Sequence, residues 1–471
     1  MTGRAIRLHP LTILVGAIRE LIALLVAGAA GLAVGGLSTA FYFTLLGLGF
    51  GLVLHLVKWA TFTYTVHDNR IELRRALIGR SVKIIPRERV RGVDISSTLP
   101  HRLLGLAVVH VDAGSDGGDG TLNAVSRQEA DRLRRVLLSH VAEMRRTPAD
   151  DTELARASPR WNLYAPLGGT YLLTPFAVAG SVLGTLYNLG DEFGFIDERR
   201  LSHLGRDVLG LPVTVGVVVA LLFLVAMPIG SVIAFALFNW DFSLRARGEE
   251  LIAERGLLTR RTVSLERRRI RGVELIDNPL ERLAGAARLG ALVTGLGDAA
   301  QRGRLLPTAP VTISRDVAAR VVGTVPGPLV THPPAALRRR VVRAIIPPLA
   351  FTVIALLAGR PWAACAGLVL MILAVPLGAD RYHQLGHALD RDRLTVRSGA
   401  LRRRQAVVER RAVVGWRLRQ TLFQRRLGLA TLVVAVGAGE GGYPAIDMAE
   451  QDAVAFAEEV TPAWVRPFLN S

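Results

Sequence analysis

Five short stretches carry residue types that do chemistry in other proteins. His383 to His387 reads HQLGH. Two imidazoles at this spacing would share one helical face, and a zinc protease of the type needs a glutamate after the first histidine as general base. That position is Gln384, which takes no proton, so the pair reads as histidines at the interfacial end of a helix. Asp112 to Gly120, DAGSDGGDG, has the composition of a calcium loop, but lacks EF-hand spacing and a closing bidentate glutamate, and reads as a polar hairpin turn. Gly47 to Gly51, GLGFG, imitates part of a dinucleotide fingerprint inside an apolar run, where small residues let helices pack closely. Finally, Arg74, Arg75 and Arg80, and later Arg255, Arg260 and Arg261, flank a strand, a turn and a second strand. Arginines beside a bilayer gain about 1 kcal/mol each from anionic lipid. These six are the candidate lipid- or partner-binding residues; no catalytic group, metal ligand or cofactor is assigned.

The elements that must position them are set by apolar segregation. Half of the 471 residues are hydrophobic and the mean hydropathy is +0.34, too apolar for one soluble globule. No Asp, Glu, Lys or Arg occurs from Leu21 to Val57, Trp161 to Gly190 or Val208 to Trp240, and only Arg360 interrupts Ala344 to Ala379. A spanning helix needs about 20 such residues. The runs predict six spans in three hairpins, at 1–60, 161–240 and 341–380. The first run leads directly into a second span, unlike a cleavable signal. The single cysteine, Cys365, excludes an internal disulfide and a cysteine metal cluster, and fits soluble parts kept in a reducing compartment.

Charge orients these spans. The chain carries +19, of which residues 58–160 hold +5, 241–343 hold +9 and 380–471 hold +4, whereas 191–207 carry −2. Basic residues stay on the cytoplasmic side, so both termini and the three long polar segments are expected in the cytoplasm of a plasma-membrane protein. That asymmetry accounts for the basic balance without nucleic acid.

The polar segments repeat. With Arg91, Arg271 and Val414 equivalent, Gly92, Gly272 and Gly415 follow at once, then Arg102, Arg282 and Arg425, then Gly105, Gly285 and Gly428. Around this punctuation run short β-branched stretches broken by Asn, Asp, Gly and Pro, such as FTYTV, SVKII and LAVVHVDAG. Each copy ends in a charged helical stretch: SRQEADRLRRVLLSHVAEMRR, SRDVAARVVGTV and DMAEQDAVAFAEEV. The expected fold is therefore α-helical transmembrane hairpins alternating with small antiparallel β-sandwich or barrel domains, each closed by a C-terminal helix. These domains are expected at 61–146, 241–325 and 381–460, the third being the most divergent. A glycine on or beside a strand permits a bulge or close backbone approach, so the punctuation reads as structural.

The alternation of hairpin and β domain, the R-G-V and R-L-L-G-L motifs and the opening RLHPLTIL resemble the bacterial pleckstrin-homology (PH) domain family of multi-pass membrane proteins, of the YdbT-like type. The resemblance covers nearly the whole chain. It implies a role in envelope maintenance or resistance to membrane-active peptides, often with a related smaller PH-domain membrane protein as partner. The expected function is a non-enzymatic membrane scaffold whose partners are the bilayer, anionic headgroups and that second protein. The rival is a transporter or intramembrane enzyme with a site between the helices.

Overall fold

The computed structural model describes residues 6–15, 39–76, 80–90, 92–112, 120–138, 151–192, 213–294, 303–323, 325 and 327–469. Arg91, most of DAGSDGGDG, the expected turn of the first hairpin and most of the acidic 191–207 segment lie outside these residues. The chain forms two compact units, 1–266 and 267–471.

In the first unit, β1 (Ile6–Arg7) precedes α1 (Thr39–Thr61), which runs into β2 (Phe62–Val66), β3 (Arg70–Ala76) and β4 (Arg80–Pro86). These strands form an antiparallel sheet in the order β1-β2-β3-β4. The chain continues through β5 (Gly92–Thr98), α2 (Leu99–Leu103), β6 (Leu106–Asp112), β7 (Gly120–Ser126) and α3 (Arg127–Leu138). The apolar alternation of these strands places Tyr64, Ile71, Ile85, Val93, Val109, Val111 and Leu122 in one core. The hydrophobic stripe of α3 adds Ala130, Leu133 and Leu137, at the i, i+3, i+7 spacing of one helical face.

The same unit then supplies β8 (Asp151–Arg156), α4 (Gly169–Glu192), α5 (Val213–Phe238), β9 (Ser243–Arg247), β10 (Glu250–Arg255) and β11 (Thr259–Glu266). The sheet order here is β7-β6-β5-β11-β10-β9-β8. Counting β1 and β8, which pair with β2 and β9, as the first strands of their copies, the fifth strand of the first copy is hydrogen-bonded to the fourth strand of the second, with Gly92 opposite Leu265 and Thr98 opposite Thr259.

The second unit repeats this join. Its elements are β12 (Ile270–Asp277), α6 (Pro279–Leu283), β13 (Ala286–Val293), β14 (Arg304–Pro310), α7 (Val311–Val322), α8 (Pro334–Leu357), α9 (Pro361–His383), β15 (Gly386–Asp390), β16 (Arg393–Ser398) and β17 (Arg403–Glu409). After them come β18 (Val413–Arg419), α10 (Leu422–Arg426), β19 (Leu429–Val436), β20 (Gly442–Ala449), α11 (Glu450–Val460) and α12 (Pro462–Leu469). One sheet runs β14-β13-β12-β17-β16-β15, and a second holds, among the described strands, β18-β19-β20. In the larger sheet Gly272 faces Val408 and Asp277 faces Arg403.

Among the described residues, three helices are long and apolar enough to cross a bilayer: Leu221–Phe238 within α5, α8 and α9. α8 and α9 turn at Gly359 (φ +66°) and pack antiparallel so closely that a Cβ on Gly367 would lie 2.2 Å from Thr352 Oγ1. Small residues permit that approach in an apolar solvent, where close packing rather than water exclusion holds helices together.

Candidate functional site: two strand junctions and their arginines

Each internal junction is made twice over, by a strand ladder and by an arginine. α2 ends at Leu103 and Gly105 takes φ +67°; α6 ends at Leu283 and Gly285 takes φ +67°; α10 is followed by Gly428 at φ +64°. A left-handed residue after a short helix reverses the chain at little cost only when it is glycine. This geometry projects the arginine three residues earlier toward the following copy. Arg102 donates to the carbonyl of Leu257, and Arg282 donates from Nη1 to the carbonyl of Ala400 at 2.8 Å.

Both acceptors sit in the same turn of successive copies, each just after a glycine at positive φ. Gly256 has φ +104°, and its Cβ would come 2.2 Å from Thr259 O; Gly399 has φ +92°, with Arg402 O at 2.1 Å. Only glycine fits either place. Sequence reasoning missed these two residues, although their spacing of 143 matches that between Gly272 and Gly415.

The junctions differ in charge. In the second, Asp277 is 3 % exposed and takes bonds from Arg403 at 2.5 to 3.1 Å, with Arg282 3.6 Å away. Arg282 Nη2 also reaches Asp380, in the last turn of α9, at 2.7 Å. Gln384 closes the network, accepting from Arg403 at 2.8 Å and donating to Asp380 at 2.9 Å. Bidentate and charge-assisted bonds are the strong members of their class.

In the first junction the corresponding positions are Ser97 and Leu237, so both carboxylates are missing. Ser97 donates to Leu106 O, and Arg260 turns to Glu254 at 2.9 Å. What remains is a cavity of about 100 Å³ lined by Arg102, Trp240, Asp241, Arg255, Gly256, Leu257 and Arg260, just past the end of α5.

The structure therefore gathers Arg255 and Arg260 at one cavity and adds Arg102 to them, while Arg261 lies on β11 opposite Ser96. In the first copy, Arg74 pairs with Glu72 at 3.0 Å and Arg75 lies over the Phe62 ring at 5.5 Å; Arg80 is the first residue of β4. Arg271 stands 3.7 Å from Glu409. Gly272 sits at a register shift in β12, and its Cβ would lie 2.2 Å from Val407 O. Gly92 is looser, with its nearest neighbour, Ser264 O, at 3.6 Å. Gly415 lies at the same kind of shift in β18, and Arg425 is in the last turn of α10.

HQLGH does not place its histidines on one helical face. α9 ends at His383, and His387 belongs to β15, because the short link through Gln384 and Leu385 breaks the helical spacing. His387 Nδ1 instead lies 3.3 Å from His332 Nε2. His332 Nδ1 donates to Ile446 O at 2.9 Å, which makes His387 the donor between the rings. Burial, helped by the His387 ring, pulls His332 down to about 4, and burial lowers His387 too.

Beside this pair Asp447, fully buried, accepts from Arg339 at 2.6 Å, Arg340 at 2.7 Å and Gln424 at 2.8 Å. The first turns of α8 are thus tied to β20 and α10. In the second copy Glu281 holds the place of Gln424, forming a reciprocal cap with Asn278 and accepting from Thr308 at 3.3 Å and Arg288 at 3.2 Å. Burial raises its carboxyl above the ordinary range.

The model of the bacterial PH domain family matches this chain three times, at residues 11–141, 206–322 and 341–460. The UPF0699 transmembrane protein YdbT of Bacillus subtilis (strain 168) is 20% identical over 411 residues, covering 81% of this chain and 80% of that protein. No solved structure matches. Both strand junctions fall inside the matched segments, and the chain is a membrane protein belonging to the bacterial PH domain family.

Proposed function

We propose that the protein is a non-enzymatic membrane scaffold. Hairpins of spanning helices alternate with three PH-like domains, at 61–146, 241–325 and 381–460, each closed by its last helix. The domains and both termini face the cytoplasm of a plasma-membrane protein. The observation that carries this reading is the repeated junction: the arginines and glycines that recur in the sequence join one copy to the next.

The chain's partners are then the bilayer and another PH-domain membrane protein. Leu103 and Leu283, on the short helices that bear Arg102 and Arg282, are 85% and 87% exposed. Arg282 is bonded to the end of a spanning helix, so these leucines lie where an interfacial side chain can enter lipid. The cavity around Arg102, Arg255 and Arg260, with Trp240 at its rim, suits a headgroup phosphate. Such a scaffold would serve envelope maintenance or resistance to membrane-active peptides, a role suggested by the family resemblance alone.

Purified protein in nanodiscs of increasing anionic lipid, together with crosslinking in the native membrane, tests the proposal. Indifference to lipid charge combined with the capture of no partner would remove its support. Substrate turnover or flux by the protein alone would replace it with an enzyme or a transporter.

A further inference from the structure

Two of the three copies use the outer edge of their fifth strand to bind the fourth strand of the next copy. Among the described strands β18 pairs only with β19. Equivalent positions show what is left open: Ile95 is 8% exposed and Leu275 7%, each covered at its junction, whereas Leu418 is 45% exposed. Arg425, the counterpart of Arg102 and Arg282, has no turn carbonyl to donate to among the described residues. The edge and its arginine form one half of an interface whose complete form the chain displays twice.

Charge decides what fits. β5 and β12 carry Asp94 and Glu274 at the position where β18 carries Arg417, and Arg419 follows two residues later. The strands that pair with β5 and β12 are basic: β11 holds Arg260 and Arg261, and β17 holds Arg403 and Arg404. A second copy of this chain would offer β4, and the register of the internal junctions would set Lys83 opposite Arg417. Like charges directly opposite in an antiparallel pair repel. Gln424 of α10 is bonded to Asp447, which holds the first turns of the candidate spanning helix α8, so the open edge lies close to the bilayer.

We propose that β18 and Arg425 dock a PH-like domain carried by a different membrane protein, whose fourth strand is acidic. That strand pairs antiparallel with β18, with its acidic side chains opposite Arg417 or Arg419, and its third-to-fourth-strand turn offers a carbonyl to Arg425. The inference rests on the scaffold reading above and assigns that scaffold's partner to one edge.

The test uses the full chain in its native membrane, with a photo-crosslinking residue at Leu418, against co-expressed, tagged membrane proteins carrying a bacterial PH domain. The crosslinked peptide should be the strand four positions into such a domain in another polypeptide, and it should contain Asp or Glu. Arg417→Glu should cut the capture about tenfold, which is about 1.4 kcal/mol, and an acidic-to-arginine change in the captured strand should restore it. Arg425→Ala, at an exposed position, should weaken capture without altering the chain's unfolding. A crosslink to residues 80–86 of a second copy, or to a peptide from outside any PH-like domain, overturns the proposal. So does silence at Leu418 while other positions on the chain still capture a partner, an outcome that leaves the scaffold reading intact. Silence at every position removes both.

Discussion

The first and second junctions share one register and differ in what neutralises their arginines. At the second, Asp277 and Asp380 sit among Arg282 and Arg403, and the join is closed by its own carboxylates. At the first, serine and leucine stand in those places, and Arg102 and Arg260 border a small cavity. A duplicated backbone contact has thus been kept while its charge balance was moved. One junction is held as a rigid internal joint, and the other leaves a basic recess at the end of a spanning helix.

The contrast should be plainest on removal of the buried acid. Asp277→Ala leaves Arg403 without its carboxylate and Arg282 with Asp380 alone, in a site of little exposure, and should destabilise the second unit by about 3–5 kcal/mol. Ser97→Ala, its counterpart, removes one bond to Leu106 O and should cost about 1 kcal/mol. Denaturant unfolding followed by limited proteolysis reads both, and equal losses would mean the two joints are not built differently.

Glycine substitutions follow in size. Gly272→Ala drives a methyl into the Val407 carbonyl and should cost about 1–3 kcal/mol, whereas Gly92→Ala meets ordinary van der Waals distances and should stay within about 1 kcal/mol. Thermal midpoints of the two variants compare them directly.

Acid separates the second unit from the first by another route. His332 is held near 4 when folded, against about 6.5 when unfolded. The unfolded chain therefore takes up the proton first as pH falls. The stability linked to this group is complete above about 6.5 and is lost as pH descends toward 4, by about 2 kcal/mol at pH 5. His332→Gln should flatten that dependence in a pH series of unfolding midpoints; an unchanged slope would assign it to other groups.

The smallest effect concerns lipid. Ser97→Asp brings a carboxylate to the first junction and should lower the gain from anionic lipid in nanodiscs by about 1 kcal/mol. Asp277 already supplies that charge at the second junction, so Arg282→Gln should leave the lipid dependence unchanged while lowering stability.

Much of this was legible in order but not in meaning. The recurrence of Arg, two residues and Gly was visible in three copies, because a left-handed turn after a short helix accepts no other residue without strain. The apolar runs were equally plain, since hydrocarbon excludes charge over about 20 residues. HQLGH misled because its spacing assumed one continuous helix, whereas α9 stops at His383 and hands His387 to a strand. The six candidate arginines were chosen by closeness to turns, and two of them, Arg255 and Arg260, share a cavity.

Local residue preference and segregation of charge from hydrocarbon are read along the chain, so the repeat, the three apolar helices of spanning length among the described residues and the strand pattern were present in one dimension. Which edge pairs with which was not. β5 meets β11 and β12 meets β17 across separations of more than 120 residues, and nothing in a strand's own alternation names its neighbour. The partner of each arginine is likewise a turn carbonyl supplied by the next copy, because a backbone acceptor carries no residue type for the sequence to display.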